Sequence, residues 1–330
     1  MPQKYDVAGL GNAIMDVIAA VDDQFLLDHG IAKGAMTLID EFRAQELHKA
    51  LADPVQVPGG SAANTMAGIA SLGGRAVFLG KVRDDNLGRR FGESLNALGV
   101  DYTTTRASGG SSTASSMIAV TPDGQRSMNT YLGACREMAP EDVDADEVAA
   151  AKILYIEGYL WDMDAAKEAS RKAMNAAKNA GAQIALSLSD SFCVGRFRDE
   201  FLDLMQRRLD ILFANEDEAK SLFETEDFDI VLEHMKSWGG LAAITRSEKG
   251  CVIVKGNDVH AVPAKSVTKV VDTTGAGDQF AAGFLFGLTH GKNLTDCGRL
   301  GALAAAEVIS HYGPRPDVPL KDLAASDGLA

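Results

Sequence analysis

The sequence contains no C-x-x-C pair: Cys135, Cys193, Cys251 and Cys297 lie far apart, so neither a cysteine zinc site nor a disulfide framework is indicated. They are expected to be reduced, partly buried thiols. The six histidines lack the H-x-x-x-H and H-E-x-x-H spacings, so none is expected to ligate a metal. No G-x-x-x-x-G-K-[ST] stretch occurs, which rules out a Walker A loop for any bound nucleotide. No apolar run approaches the roughly 18 residues of a spanning helix, and Lys4, Asp6 and Asp16 break up the apolar N-terminal residues. The chain reads as a cytoplasmic, soluble protein with no membrane partner. Positive charge is scarce. With 32 Lys and Arg against 46 Asp and Glu, the formal charge is −14, which opposes non-specific binding to nucleic acid or anionic membrane. A phosphorylated ligand would have to be held locally. Internal repeats, low-complexity tracts and long linkers are also absent.

What is present is an ordinary globular composition, 46% hydrophobic and 24% charged over 330 residues, long enough for one large α/β domain or two smaller ones. The second half alternates β-rich runs with helical patterns: "KILYIEGYL", a helix over 163–181, "QIALSL", a helix over 194–209, "DILFAN", helices over 216–223 and 228–238, then "LAAITR". Such alternation predicts βαβ units and a mainly parallel, Rossmann-like sheet flanked by helices. "CVIVK" and "DVHAVPA" read as a hairpin turning at Gly256-Asn257, and two helices rich in Ala and Gly follow over 277–290 and 294–311. In the first half, "DVIAAV", "MTLID", "DYTTTRA", "SSMIAVT" and "RSMNTYL" are strand-like, the last two joined across a "PDG" turn. They suggest a small second β-sheet, a lid built from segments 14–40 and 101–131. Helices over 62–72 and 87–98 belong to the main layer.

One stretch concentrates polar chemistry. In 270–280, "VVDTTGAGDQF", the β-branched "SVTKVV" reads as a strand, "DTTGAGD" as a turn and "QFAAGFLFGL" as a helix. Backbone N–H groups at a helix N-terminus form an anion site, and Gly275 and Gly277 allow close approach without a Cβ. Asp278 has two candidate roles there. It can be a first-turn capping residue, or a general base that takes a hydroxyl proton while the amides stabilise the group being transferred.

"DTTGAGDQF" resembles the C-terminal signature of the PfkB (ribokinase-like) family of carbohydrate and nucleoside kinases. "PGGSAANTMAGIASLG" (58–73) resembles its Gly-Gly substrate motif, "GKVRDDNLGRRFGESLNALGVD" (80–101) the segment after it, "NEDEA" (215–219) its N-x-x-E motif, and "TRSEKGCVIV" (245–254) the strands that flank its nucleotide. These motifs occur in family order over residues 5 to 315. The resemblance implies a single ribokinase-like kinase domain with a small lid, using ATP and Mg²⁺. It implies that Asp278 is the catalytic base and that Gly275, Ala276 and Gly277 form the anion hole. Asn215 and Glu218 would order Mg²⁺ through water, which suits an ion that keeps waters and prefers oxygen; the same pair also has the spacing of a helix capping box. Thr245, Ser247 and Gly250 would border the ATP, with the helix 294–311 walling the adenine. Many members also hold a monovalent cation such as K⁺ on carbonyls near the anion hole, where Asp272 and Thr274 stand.

At the other end, Gly9-x-Gly11 fails as a dinucleotide fingerprint, because Ile14 takes the third glycine position and "DVIAAV" reads as a strand where that motif needs a helix. By resemblance Asn12 and Asp16 contact the substrate, Asp16 accepting from two sugar hydroxyls. A carboxylate suits a vicinal diol because it offers only acceptors. Gly59, Gly60 and Asn64 would complete the sugar site, and Arg136, after "YLGAC", would neutralise phosphates or else lie on the surface. The openings "GNAIMDV", "LGAC" before Arg136, and "YIEGYLWD" (155–162) are most similar to bacterial adenosine-kinase-like proteins. The expected activity is phosphorylation of a nucleoside 5′-hydroxyl, adenosine first, with a sugar kinase as the alternative within the class. Outside it stand a non-catalytic nucleoside- or nucleotide-binding protein and a dinucleotide oxidoreductase. Met36, Met117, Tyr131, Leu132 and Phe192 are candidates for the wall against a base, which the sequence does not place. Expected partners are small molecules, with no nucleic acid, and the chain is a monomer or homodimer.

Overall fold

The computed structural model describes residues 3–329. In chain order its strands are β1 (Tyr5–Leu10), β2 (Ile14–Ala20), β3 (Met36–Leu38), β4 (Val55–Gly59), β5 (Ala76–Leu79), β6 (Val100–Asp101), β7 (Ala114–Val120), β8 (Arg126–Tyr131), β9 (Ala151–Glu157), β10 (Gln183–Ser187), β11 (Ile211–Asn215), β12 (Leu241–Thr245), β13 (Cys251–Lys255) and β14 (Asp258–Val262).

Nine of them form the main sheet in the order β14-β13-β12-β11-β10-β9-β1-β5-β6. Neighbours from β12 to β6 run parallel, and only the β12-β13-β14 edge is antiparallel. The hairpin closes at Gly256-Asn257, between the paired Lys255 and Asp258. A parallel sheet covered on both faces needs strands that are apolar throughout, and β9 shows why. Its Ile153 and Tyr155 pack with Met66, Phe280 and Phe284 of the helices Ser61–Ser71 and Ala276–Thr289. Its Leu154 and Ile156 point the other way, into a core with Met174, Phe201 and Leu222. Each such fully buried side chain contributes about 1.5–3 kcal/mol. The small residues of the last two long helices serve this packing: a Cβ at Gly283 would strike the Leu300 carbonyl, and one at Gly301 would meet the Phe280 ring.

Strand β1 pairs with β5 on one side and β9 on the other. The chain first winds toward β5 and β6, then returns through β9 and winds the opposite way. Such a switch point leaves a crevice at the carboxyl ends of the strands, where α/β folds bind ligands.

The remaining strands form a second sheet in the order β3-β8-β7-β2-β4. Its two faces differ. Met15, Val17, Ala19 and Met117 are buried with Leu47 and Leu51 on and beside the helix Glu41–Ala50. Alternate residues share a face, so Ile14, Asp16 and Ile18 lie opposite, in register with Ser116, Ile118, Met128 and Thr130 of β7 and β8.

Three sequence expectations change here. Residues 102–107 of "DYTTTRA" are not a strand. Only Val100–Asp101 pairs, and it does so with β5 at the edge of the main sheet. Ala107 makes one isolated bridge to Arg83. The small sheet instead recruits β4, which lies outside the segments expected to build the lid. The β-branched "SVTKVV" has no strand to pair with, because β14 ends at Val262; Val271 N–H bonds to the carbonyl of Ile309 at the end of a helix (2.8 Å).

Candidate active site

The switch point is pinned by a residue the sequence reading did not single out. Glu157 closes β9 and is fully buried. One carboxylate oxygen accepts from Asn12 N–H (2.8 Å), the other from Ala62 N–H (2.9 Å). It therefore ties the loop after β1 to the first turn of the helix Ser61–Ser71. Burial raises its carboxyl to about 7 against the pull of those bonds. Gly60 is required by conformation and space, since its φ is 95° and a Cβ would collide with the Asn12 carbonyl oxygen. At Gly59 a Cβ would lie 2.5 Å from the Asp16 carboxylate. The glycine pair thus lets Asp16, nine-tenths buried on β2, rest against the backbone.

From the other side comes the Gly-rich turn. Gly275 has φ 78° and caps the helix Ala276–Thr289. Ala276 N–H bonds back to the Thr273 carbonyl (3.2 Å), whereas the N–H groups of Gly277 and Asp278 fall in the first turn, where a helix supplies no acceptor of its own. A Cβ at Gly277 would meet open space. Asp278 accepts from Ser61 Oγ (2.6 Å) on one oxygen and from Asn64 Nδ2 (3.0 Å) on the other. Ser61 and Asn64 stand three residues apart, on one side of their helix. Crowding by protein raises the Asp278 carboxyl to about 6, and the bonds from Ser61 and Asn64 and the charge of Arg315 only partly offset it. Asp16 is likewise raised to about 6 by burial, opposed by the charges of Arg126 and Arg315.

Those two arginines are the cations of the site. Arg126, at the start of β8, donates to Asp272 Oδ2 (2.6 Å) with both side chains nine-tenths buried, and its Nε and Nη2 have no partner. The other Asp272 oxygen accepts from Thr274 N (3.0 Å) and Oγ1 (2.6 Å). Burial opposes ionisation of Asp272, but these bonds, the Gly313 N–H and the Arg126 charge outweigh it and hold the carboxyl below its usual range. Arg315 donates from Nε to Asn64 Oδ1 (3.1 Å), leaving Nη1 and Nη2 buried and unpaired. Of the two places open to Arg136, the structure shows the surface one: the turn Gly133–Glu137 buries Ala134 and Cys135 and leaves Arg136 exposed, its guanidinium against Met163 Sδ (3.2 Å). None of its described contacts reaches Asp16, Asn64 or Asp278.

The ends of β11 and β12 carry the other predicted group. Asn215 pairs in register with Thr245. Asn215 and Glu218 form a full capping box, with Glu218 N–H to Asn215 Oδ1 (2.8 Å), Asn215 N–H to Glu218 Oε2 (2.9 Å) and Asn215 Nδ2 to Glu218 Oε1 (2.6 Å). Burial raises the Glu218 carboxyl to about 7. Each of its oxygens keeps a second lone pair, so a metal-bound water can be accepted without breaking the cap. Ser247 is exposed with φ 51°. Gly250 has φ 86°, and a Cβ there would strike the Val262 carbonyl. Among the described residues no group of three or more His, Cys, Asp or Glu could hold a metal ion. Nor, among them, is any helix long and apolar enough to cross a membrane.

Of the candidates for a base wall, Met36 lies on the Asp16 face of the small sheet through its pairing with Met128. Met117 and Tyr131 lie on the opposite face, Tyr131 reaching Glu41 (3.4 Å). Leu132 is half-buried, and Phe192 is 82% exposed.

A carboxylate held between a hydroxyl and an amide, a glycine turn opening a helix, and guanidinium N–H groups without partners define a phosphotransferase with a hydroxyl acceptor. Residues 10–321 match the pfkB family carbohydrate kinases, and the chain belongs to that family. Membership implies ATP as phosphoryl donor, with Mg²⁺. An adenosine kinase from Sinorhizobium meliloti is 54% identical, with a TM-score of 0.90 over 98% of this chain and 99% of that one. A probable sugar kinase from Rhizobium etli is 50% identical, with a TM-score of 0.91 over 100% of both chains. An uncharacterized sugar kinase from Archaeoglobus fulgidus is 32% identical over 76% of this chain and 98% of its own length.

Proposed function

We propose that this kinase transfers the γ-phosphoryl group of ATP to the 5′-hydroxyl of a nucleoside, adenosine first. The observation that carries the nucleoside over a free sugar is the face of the small sheet around Asp16. Ile14 and Ile18 are half-buried there, and Met36, Leu38 and Val55 are each about 60% exposed. Asp16 suits a ribose diol, and the apolar surface beside it suits a flat base, which a sugar lacks. The 54% identical adenosine kinase supports the same reading. In the proposed function the small sheet of this chain is the lid of a single kinase domain, and the setting is the cytoplasm, where its four buried free cysteines stay reduced.

Asp278, ionised above about pH 6, takes the proton of the acceptor hydroxyl. Ser61 and Asn64 orient its two oxygens. The N–H groups of Gly277 and Asp278 face the developing charge, and Arg126, rather than Arg136, brings a buried cation to the phosphates. Asn215 and Glu218 would hold Mg²⁺ through water, and the ion would neutralise the β- and γ-phosphate oxygens. Thr245, Ser247 and Gly250 border the nucleotide. The test is ADP release with adenosine, inosine, ribose, fructose and 2-keto-3-deoxygluconate as acceptors. Turnover on adenosine well above the sugars is expected; turnover on a sugar and on no nucleoside would overturn the substrate assignment.

A further inference from the structure

Arg315 follows a short stretch that three contacts lock against the Gly-rich turn. Gly313 N–H donates to Asp272 Oδ2 (3.0 Å). The Pro314 carbonyl accepts from Gln279 Nε2 (3.0 Å), which also donates to the Asn64 carbonyl (3.0 Å). Gly275 packs so closely on Pro314 that a Cβ would lie 2.6 Å from its Cα. From this anchorage Arg315 Nε donates to Asn64 Oδ1, and Asn64 Nδ2 donates to Asp278. The outer half of the guanidinium is buried with four N–H donors unmet. Asp16 and Asp278 both feel its charge, yet neither is hydrogen-bonded to it. A buried guanidinium with four of its five donors unsatisfied is costly unless a ligand completes it, and the group expected beside Asp278 carries charge on three oxygens.

We propose that Arg315 is a catalytic residue: Nη1 and Nη2 receive oxygens of the phosphoryl group during transfer, while Nε fixes the Asn64 that orients Asp278. The proposal rests on the kinase reading above. In the step, the acceptor oxygen bonds to the γ-phosphorus, the bond from that phosphorus to the bridging oxygen breaks with its electron pair leaving on ADP, and the hydroxyl proton passes to Asp278. Arg315 stays protonated throughout; burial lowers it only to about 10. Its place differs from that of Arg126, which sits on the small sheet and already spends one N–H on Asp272. Arg315 belongs to the main body and is fixed there before any acceptor binds.

The test compares Arg315→Gln and Arg315→Lys with the parent chain in the ADP-release assay, on the best acceptor of the panel. Arg315→Gln is expected to lower kcat by about 10²–10³-fold, the range for losing a preorganised donor to a developing anion, with the acceptor KM changed less than about threefold. The acid limb of kcat is expected to move to higher pH, because Asp278 loses the cation that favours its ionised form. The other titratable groups facing Asp278 are Glu157, Tyr155 and Tyr159. They are the same in every variant, so the displacement between variants reports Arg315. Arg315→Lys should restore the limb and recover only part of kcat, since an ammonium has the charge without the fork. A kcat within threefold of the parent in Arg315→Gln, or a lower kcat with an unmoved limb, would overturn the proposal. If Arg315→Gln does not fold, a full kcat in Arg315→Lys overturns it. A parent chain without turnover on any acceptor overturns the kinase reading and this proposal with it.

Discussion

Asp278→Asn separates a base from a cap. The change is isosteric, and the fold has the means to absorb it. The new amide keeps one carbonyl oxygen to accept from Asn64 Nδ2, and the Ser61 hydroxyl, now 2.6 Å from a carboxylate oxygen, can turn to accept from the amide. What disappears is the carboxylate that the proposed function assigns to take the hydroxyl proton. A general base contributes typically 10²–10⁴-fold, so kcat should fall by that factor, about 3–5 kcal/mol of barrier. With a carboxyl at about 6, the parent chain is almost fully ionised at pH 7.5 and about one-tenth ionised at pH 5, so its kcat should drop roughly tenfold across that interval. The variant should lack this limb. Stability moves the other way. The folded carboxyl titrates near 6 against 3.8 for the ordinary group, so its charge opposes folding above pH 6, and the opposition fades as the pH falls toward 4. Asp278→Asn should therefore melt at the same or a higher temperature than the parent at pH 7.5, with the gap closing near pH 4. Steady-state kinetics from pH 5 to 8 and calorimetric melting at the two ends suffice. A variant within tenfold of parental kcat would mean that Asp278 only caps its helix, and a much lower melting temperature at pH 7.5 would mean that its hydrogen bonds hold the fold.

Two further changes probe the substrate end. Gly60→Ala forces a residue with a side chain to φ 95° and drives its Cβ into the Asn12 carbonyl; the strain and the collision together should cost of order 3 kcal/mol, read as a melting temperature several degrees lower, and an unchanged melting point would show that the turn relaxes freely. Glu157→Gln sets an amide NH₂ against the N–H of Asn12 or Ala62 and leaves one donor unmet, about 1–3 kcal/mol. If that loop carries the acceptor, as proposed, the acceptor KM should rise about tenfold with kcat less affected; equal losses in both would place Glu157 in the chemistry instead.

The second half of the fold was legible because its strands alternate with long helices, and each side chain that must face a core follows a period. The centre was harder to read. β1 and β5 are short runs buried on both faces, and such runs show no alternation that would separate strand from helix. The segment 266–271 erred the other way: its residues favour strands, but pairing needs a partner, and the sheet edge had already turned back at β14. At the site, the glycines and Asp278 were readable because close backbone approach and a helix N-terminus constrain residue type locally. The cations were not. Arg126 and Arg315 act through contacts with Asp272 and Asn64, 146 and 251 residues away in sequence, and no spacing rule links them. Arg136 had the motif-like position, yet a short helical turn sends it outward. Ser61 was the detectable omission, since its i, i+3 relation to Asn64 already put two polar side chains on one helix face.

The division of labour between the two sheets bears on how such a site changes substrate. Asp278, the Gly-rich turn and Arg315 belong to the main body, and their mutual contacts run through Asn64, Gln279 and Pro314. Asp16 and the apolar surface beside it belong to the small sheet, whose strands meet the main body through the Gly59-Gly60 turn and the Arg126–Asp272 pair. On the proposed reading, a substitution at Met36, Leu38 or Val55 would alter what lies beside the acceptor's sugar ring and leave the Asp278–Asn64–Arg315 chain untouched. Exchanging one or two side chains on a pocket wall shifts selectivity by about 1–3 kcal/mol, enough to reorder nucleoside and sugar without disturbing the base. On that reading the transfer machinery and the acceptor wall are built from different parts of the fold, and the chain is similar both to an adenosine kinase and to a probable sugar kinase.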